Sequence, residues 1–200
     1  VKWLLQCALW LSCLGGAGAA AALPVTLTLV PSSTVLAAGE TLSVEIVVGG
    51  LFDDAEIALE SFDLELAFDD DRLAFQSFAF GGSLGGPNQT FATGPGNPNV
   101  NGVVKLGLFS KLTEPQLLAL QDAPFVLATI DFEALANPGP ALLELINLYG
   151  GSLGGVAGQE LGALLEAPDP LLVTVVPEPG VVVLLAAASL LARRGHAARS

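Results

Sequence analysis

Carboxylates are the only chemistry-bearing side chains this chain holds in quantity. Twenty Asp and Glu stand against seven Lys and Arg, for a formal charge of −13. All the acids except Glu178 fall between Leu23 and Val176, where the only basic residues are Arg72, Lys105 and Lys111. The single histidine, His196, lies near the C-terminal end, so that long segment has no imidazole for a triad, a general base or a metal site. Both cysteines, Cys7 and Cys13, lie near the N-terminal end, which removes disulfides, thiolate nucleophiles and cysteine–zinc sites from the same segment. Serines such as Ser77 and Ser110 have no evident base, and no phosphate-cradling Gly-Lys-Ser/Thr or dinucleotide fingerprint occurs. What remains is carboxylate-only hydrolysis, in which two acids about 5–10 Å apart cleave a glycosidic bond. Most acids here fall on outward strand positions or in turns, where solvation accounts for them. A non-enzymatic chain is expected.

Binding chemistry is left. Calcium takes carboxylate and carbonyl oxygens, which Asp69-Asp70-Asp71 and Asp53-Asp54 could supply, making Ca2+ the one candidate cofactor. No Asp-x-Asp-x-Asp-Gly loop is present, however, and the triplet falls where the chain needs a turn between two strands, so the turn is favoured over a metal site. A stacking platform for sugars wants exposed aromatics. Trp3 and Trp10 both precede Leu23, and Phe78, Phe91 and Phe109 are the candidates, with Phe78 and Phe109 expected in the core. Phe91 sits in a long Gly-, Asn- and Pro-rich stretch from Gly81 to Gly102 with Asn97, Asn99 and Asn101, and together these form a candidate ligand loop. The acidic field repels nucleic acid and anionic membrane surfaces.

The elements that position these residues show alternation at period two, the mark of half-buried strands. Val25, Leu27 and Leu29 share one face, as do Leu42, Val44, Ile46 and Val48. Phe62, Leu64, Leu66 and Phe68 repeat the pattern, followed by Val126, Ala128, Ile130 and Phe132, and finally Leu171, Val173 and Val175. Less regular strands are expected over Leu73–Phe80, Val103–Phe109 and Leu142–Leu148; the doublets Val103-Val104 and Leu142-Leu143 suggest strands covered on both sides, or strand ends. Only Thr113–Leu120 reads as helical, with Thr113 and Gln116 at capping-box spacing and Pro115 in the first turn. Eight to ten short strands and one helix make an all-β, antiparallel two-sheet sandwich with Greek-key or jelly-roll connections. The motif Gly-Gly-Ser-Leu-Gly-Gly occurs twice, after Phe80 and after Tyr149, and is read as Gly-rich turn chemistry used twice.

The two ends differ from this domain. Lys2, an apolar run from Trp3 to Leu14 and a small-residue stretch to Ala22 have the order of a secretory signal peptide, placed at 1–22. At the other end, Val176-Pro177-Glu178-Pro179-Gly180 cannot continue a strand or helix, because its prolines fix φ and remove donors. Val181 to Ala192 is uncharged and then meets Arg193-Arg194. A helix there would span about 18 Å against the roughly 30 Å of a bilayer core, a marginal transmembrane anchor held by a basic stop.

The order Pro177-Glu178-Pro179, apolar helix, Arg193-Arg194 closely resembles the PEP-CTERM sorting signal. That resemblance implies an exported protein of a Gram-negative bacterium, held transiently in the inner membrane and processed near the Pro-Glu-Pro by an exosortase-type enzyme. It also implies a final place at the cell surface or outside, and a link to exopolysaccharide or biofilm. The segment from 23 to 175 carries a looser likeness, in Val25–Val48 with its Pro-Ser-Ser and Ala-Ala-Gly-Glu turns, in Ser61–Phe75, in Gly102–Ser110 and in Phe125–Glu133. Together these are similar to a cohesin-type domain, the jelly-roll sandwich related to carbohydrate-binding modules. Cohesins bind dockerin modules across a sheet face, which implies a partner on another chain. The favoured reading is therefore a non-enzymatic surface or matrix protein, sorted by its tail and contacting another surface protein or a polysaccharide. The alternative is a calcium- or carbohydrate-binding module.

Overall fold

The computed structural model describes residues 25–51, 58–121, 123–149, 165–166 and 168–178. Over these the chain forms eleven strands: β1 (Val25–Pro31), β2 (Val35–Ala37), β3 (Thr41–Gly49), β4 (Ser61–Phe68), β5 (Leu73–Phe80), β6 (Thr90–Thr93), β7 (Val103–Ser110), β8 (Phe125–Ala134), β9 (Gly139–Tyr149), β10 (Leu165–Glu166) and β11 (Leu171–Val176). Two short helices, α1 (Pro98–Asn101) and α2 (Glu114–Leu118), and a 3-10 turn at Gly82–Leu84 complete it. One sheet runs β10-β1-β3-β8-β5, the other β2-β11-β9-β4-β7-β6.

The period-two pattern buries one face of each sheet against the other. Leu42, Val44, Ile46 and Val48 of β3 face Phe62, Leu64, Leu66 and Phe68 of β4 across one continuous core. Within it the rings of Phe68 and Phe132 lie 4.9 Å apart. Each fully buried Leu, Ile or Phe contributes about 1.5–3 kcal/mol, which makes this layer the main source of stability.

Three features depart from the simple alternation. The pairing is antiparallel throughout except at two places, where β1 runs parallel to β10 and β2 runs parallel to β11. The N-terminal segment leaves one sheet for the other at residues 32–34. Ser32 closes the ladder to β3, its N–H donating to Ser43 O at 2.8 Å and its Oγ accepting from Ser43 N at 3.0 Å. The Ser33 hydroxyl then turns the chain, donating to Val35 O at 2.6 Å. In β8 the register slips opposite Ile46 and Val47, so Leu127 is an extra residue. The bulge puts Phe125 and Leu127 in the core and leaves Val126 only half-buried, which corrects the expectation that Val126 shares the Ala128, Ile130 and Phe132 face. The doublets are not covered on both sides: Leu143 and Val104 are buried, but Leu142 is exposed.

Residues 1–24 and 179–200, where the leader and the apolar tail are expected, lie outside the described residues, as do Asp53, Asp54 and the second Gly-Gly-Ser-Leu-Gly-Gly repeat. Among the described residues no helix is long and apolar enough to cross a membrane.

One buried polar side chain closes an end of the sandwich. Gln121 donates from Nε2 to Leu59 O at 2.9 Å and to Ser83 O at 3.1 Å, while its Oε1 accepts from Leu59 N at 2.8 Å. The amide thus satisfies backbone groups of Leu59 and Ser83 in a buried setting. Replacing it by an apolar isostere leaves them buried and unpaired. Gln121→Leu is expected to cost about 3 kcal/mol, seen in a thermal melt as a fall of about 10 °C; a change within a degree or two would show that Gln121 does not carry this role.

Candidate interaction face

The outer face of the six-stranded sheet gathers what the core leaves over. Val35, Phe91, Phe109, Leu142, Ile146 and Leu172 are each between 44 and 64 % exposed, and all belong to this sheet. The other large exposed apolar residues among those described, Val30, Val100 and Leu120, lie elsewhere. Register explains the grouping. Phe91 of β6 stands directly opposite Phe109 of β7, and Leu172 of β11 opposite Leu142 of β9. Directly opposed residues on one face are in side-chain contact range, so two apolar spots form, one near each side of the sheet. Ile146 joins the face because the β4–β9 register shifts at that point.

Between the two spots runs a polar belt. Lys105 of β7, Glu65 of β4 and Asn147 of β9 lie across three adjacent strands at one register level. Glu65 pairs with the Lys105 ammonium through Oε1 and accepts from Asn147 Nδ2 at 2.7 Å through Oε2. The Lys105 hydrogen bond, then the Asn147 amide, hold the Glu65 carboxyl below its ordinary value of 4.5. One register step away Gly107 lies between Asp63 and Thr93. A methyl group on Gly107 would sit 2.4 Å from Thr93 Oγ1, so this level of the face is flat by necessity.

The residues singled out from the sequence are placed as follows. Phe91 is on the face, with the Lys111 ammonium 3.9 Å from its ring centroid. Phe109, expected in the core, is exposed beside it because β7 turns its odd-numbered side chains outward. Phe78 is partly buried against the core, edge-on to Phe80 at 5.2 Å. Asn97, Asn99 and Asn101 do not converge with Phe91: the Asn99 amide bonds the backbone of Phe75, and Asn101 Oδ1 accepts from Val103 N at 3.3 Å. Asp69, Asp70 and Asp71 form the β4–β5 turn. Asp69 Oδ1 accepts from Asp71 N at 3.2 Å and Oδ2 holds Arg72 at 2.6 Å. Among the described residues no three His, Cys, Asp or Glu gather as metal ligands. Pro177 and Glu178 follow β11 as exposed chain, while Pro179, Arg193 and Arg194 lie outside the described residues.

The Leu142, Ile146 and Leu172 contribution was not recognised in the sequence. Its signal was there, in apolar doublets on otherwise alternating strands, which mark either a doubly covered strand or an apolar outer face.

No protein-family model matches the chain, and no curated protein matches it. Solved structures do. A type II cohesin domain from the cellulosome of Acetivibrio cellulolyticus superposes with a TM-score of 0.54 at 11% identity, over 75% of this chain and 95% of that one. A type I cohesin from Pseudobacteroides cellulosolvens gives 0.56 at 14% identity, over 77% and 93%. A type I cohesin–dockerin complex from Clostridium thermocellum gives 0.56 at 13% identity, over 76% and 99%. What is shared at these identities is the fold, an all-β sandwich of cohesin type.

The Glu65 network predicts a pH signature. A depressed carboxyl stabilises the fold fully above its unfolded value of about 4.3, and that stability disappears as pH falls through the lower folded value. Glu65→Gln is therefore expected to melt below the wild type at pH 7, with the gap closing as pH falls below 4.5. A gap that stays constant or widens in acid would contradict the assignment.

Proposed function

We infer that this chain is a non-enzymatic binding module that docks another exported protein across the outer face of the six-stranded sheet. The observation that carries the reading is the concentration of exposed large apolar side chains on that one face, six of the nine among the described residues. Two separated apolar spots with a pre-organised polar belt between them have the anatomy of a protein interface, in which buried anchors supply affinity and fixed polar groups supply register. The cohesin-type fold supports it, since one of the matching structures is a cohesin holding a dockerin. Glycosidase chemistry is disfavoured by the commitments of the acids: Glu65 is paired with Lys105, Asp69 with Arg72, and both Asp131 oxygens accept serine hydroxyls, from Ser43 at 2.6 Å and Ser77 at 2.7 Å.

The sequence at the two ends of the chain supports a location outside the cytoplasm. The leader at 1–22 exports it, and the tail from Pro177 holds it in the inner membrane until an exosortase-type enzyme acts at Pro177-Glu178-Pro179. The basis is the PEP-CTERM resemblance, and it gives a surface or matrix location in an exopolysaccharide-producing Gram-negative bacterium.

Two experiments check these readings separately. A photo-crosslinking side chain at Phe109 or Leu142 is expected to capture a protein in the native host, and one at Thr129, on the opposite sheet, to capture none. Affinity for the captured partner should fall at least tenfold with Phe109→Asp or Leu142→Asp, matching a loss of about 2 kcal/mol for an interface anchor; equal capture from both sheets would overturn the docking face. For sorting, replacing Pro177-Glu178-Pro179 with alanines should block the mass change that accompanies maturation, and unaltered maturation would mark the tail as a plain anchor.

A further inference from the structure

A sandwich of two open sheets has four ends, and each end strand presents unpaired backbone groups that another strand can use. Among the described residues three of the four are short: β10 has two residues, β2 three and β6 four. The fourth, β5, has eight. Its sequence, Leu-Ala-Phe-Gln-Ser-Phe-Ala-Phe, contains no charge, no proline and no glycine. Uncharged, aromatic, strand-forming segments of that length are the ones that pair with copies of themselves. The −13 charge of the chain does not protect this stretch, because none of that charge is carried on it.

Among the described residues, the Asn99 side chain bonds the backbone of β5 on the side away from β8. Asn99 accepts from Phe75 N–H through Oδ1 at 2.7 Å and donates from Nδ2 to Phe75 O at 3.0 Å. These are the two bonds that a neighbouring strand would make there, and an amide side chain is the one group that carries both a donor and an acceptor in that arrangement. Its position is fixed from both sheets. Asn99 rides on α1, closed by left-handed Gly102 (φ 63°), whose N–H donates to Pro98 O at 2.9 Å. The Gly102 carbonyl in turn accepts from Phe68 N of β4 at 2.8 Å. Further along β5, the Gly81 N–H points to Leu127 O of β8, so two-residue alternation turns the backbone groups of Phe78 and Phe80 away from β8. A register slip between Phe75 and Ser77 interrupts the strand between the blocked and the open part.

We propose that β5 is a latent pairing edge for a second copy of this chain, and that the Asn99 amide, standing in for the missing neighbour strand, keeps it closed. The occupant is a second copy because β5 is self-complementary: two such strands pair antiparallel about a two-fold axis with no like charges brought together. Opening the 94–102 segment would release Phe75 and make the edge continuous from Phe75 to Phe80.

The test is sedimentation velocity on the full chain over a range of concentrations, in a mild detergent that covers its apolar termini. The wild type is expected to run as a monomer. Asn99→Ala should shift toward a species of about twofold mass as concentration rises, and Asn99→Ala with Ala79→Lys, which places a charge on the exposed edge, should return to monomer. Asn99→Asp separates edge exposure from loss of stability: it removes the donor to Phe75 O yet puts a charge at the edge, so it should melt earlier and stay monomeric. Asn99→Ser gives the same reading if Asn99→Ala does not fold. A monomeric Asn99→Ala and Asn99→Ser, or a dimer that Ala79→Lys leaves intact, would overturn the proposal.

Discussion

This sandwich stands on apolar burial between two sheets. Everything else follows from keeping that layer in register. The Phe68 and Phe132 rings meet because β4 and β8 each point one residue in two inward, and a one-residue slip in either strand would send its whole apolar set to solvent. The bulge at Leu127 is such a slip, confined to one position: it turns Leu127 and Phe125 inward while Ala128, Ile130 and Phe132 keep their places.

That constraint also explains the shape of the interaction face. Residues of the six-stranded sheet that are not needed inward have no packing role, yet several are large and apolar where polar residues would serve folding better. The five-stranded sheet shows the ordinary solution on its outer side, with Ser43 and Ser77 bonded to Asp131 and Gln76 to Glu133. The six-stranded sheet differs in the large apolar side chains exposed on either side of its Lys105–Glu65–Asn147 belt, the kind of patch that marks contact with another molecule.

The sequence made the core legible because alternation is a local property. β3 and β4 were identified residue by residue, and the cohesin-type likeness was visible in the turns that separate them. Three things were not legible, each for a non-local reason. Phe109 was expected inside because an aromatic on a strand says nothing about which face is covered; its outward direction is set by pairing with β4 and β6. The strands β2 and β6 are too short to show a period, and β2 exists only because β11 arrives beside it. Asn99 was grouped with Asn97 and Asn101 as a possible ligand set, whereas its amide completes the backbone bonding of a strand 24 positions earlier. The Asp69–Asp71 turn, by contrast, was read correctly, since turn chemistry is also local.

The seam between β2 and β11 sets the order in which the molecule can assemble. Val35 to Ala37 pair with Thr174 to Val176, partners about 140 positions apart, so this closure carries a large contact order and a late place in folding. A nascent chain completes its N-terminal portion first. Until the final strand is made, the buried Leu36 lacks its cover and one side of the six-stranded sheet stays unfinished. The domain thus reaches its finished state only once the residues just before Pro177 are in place.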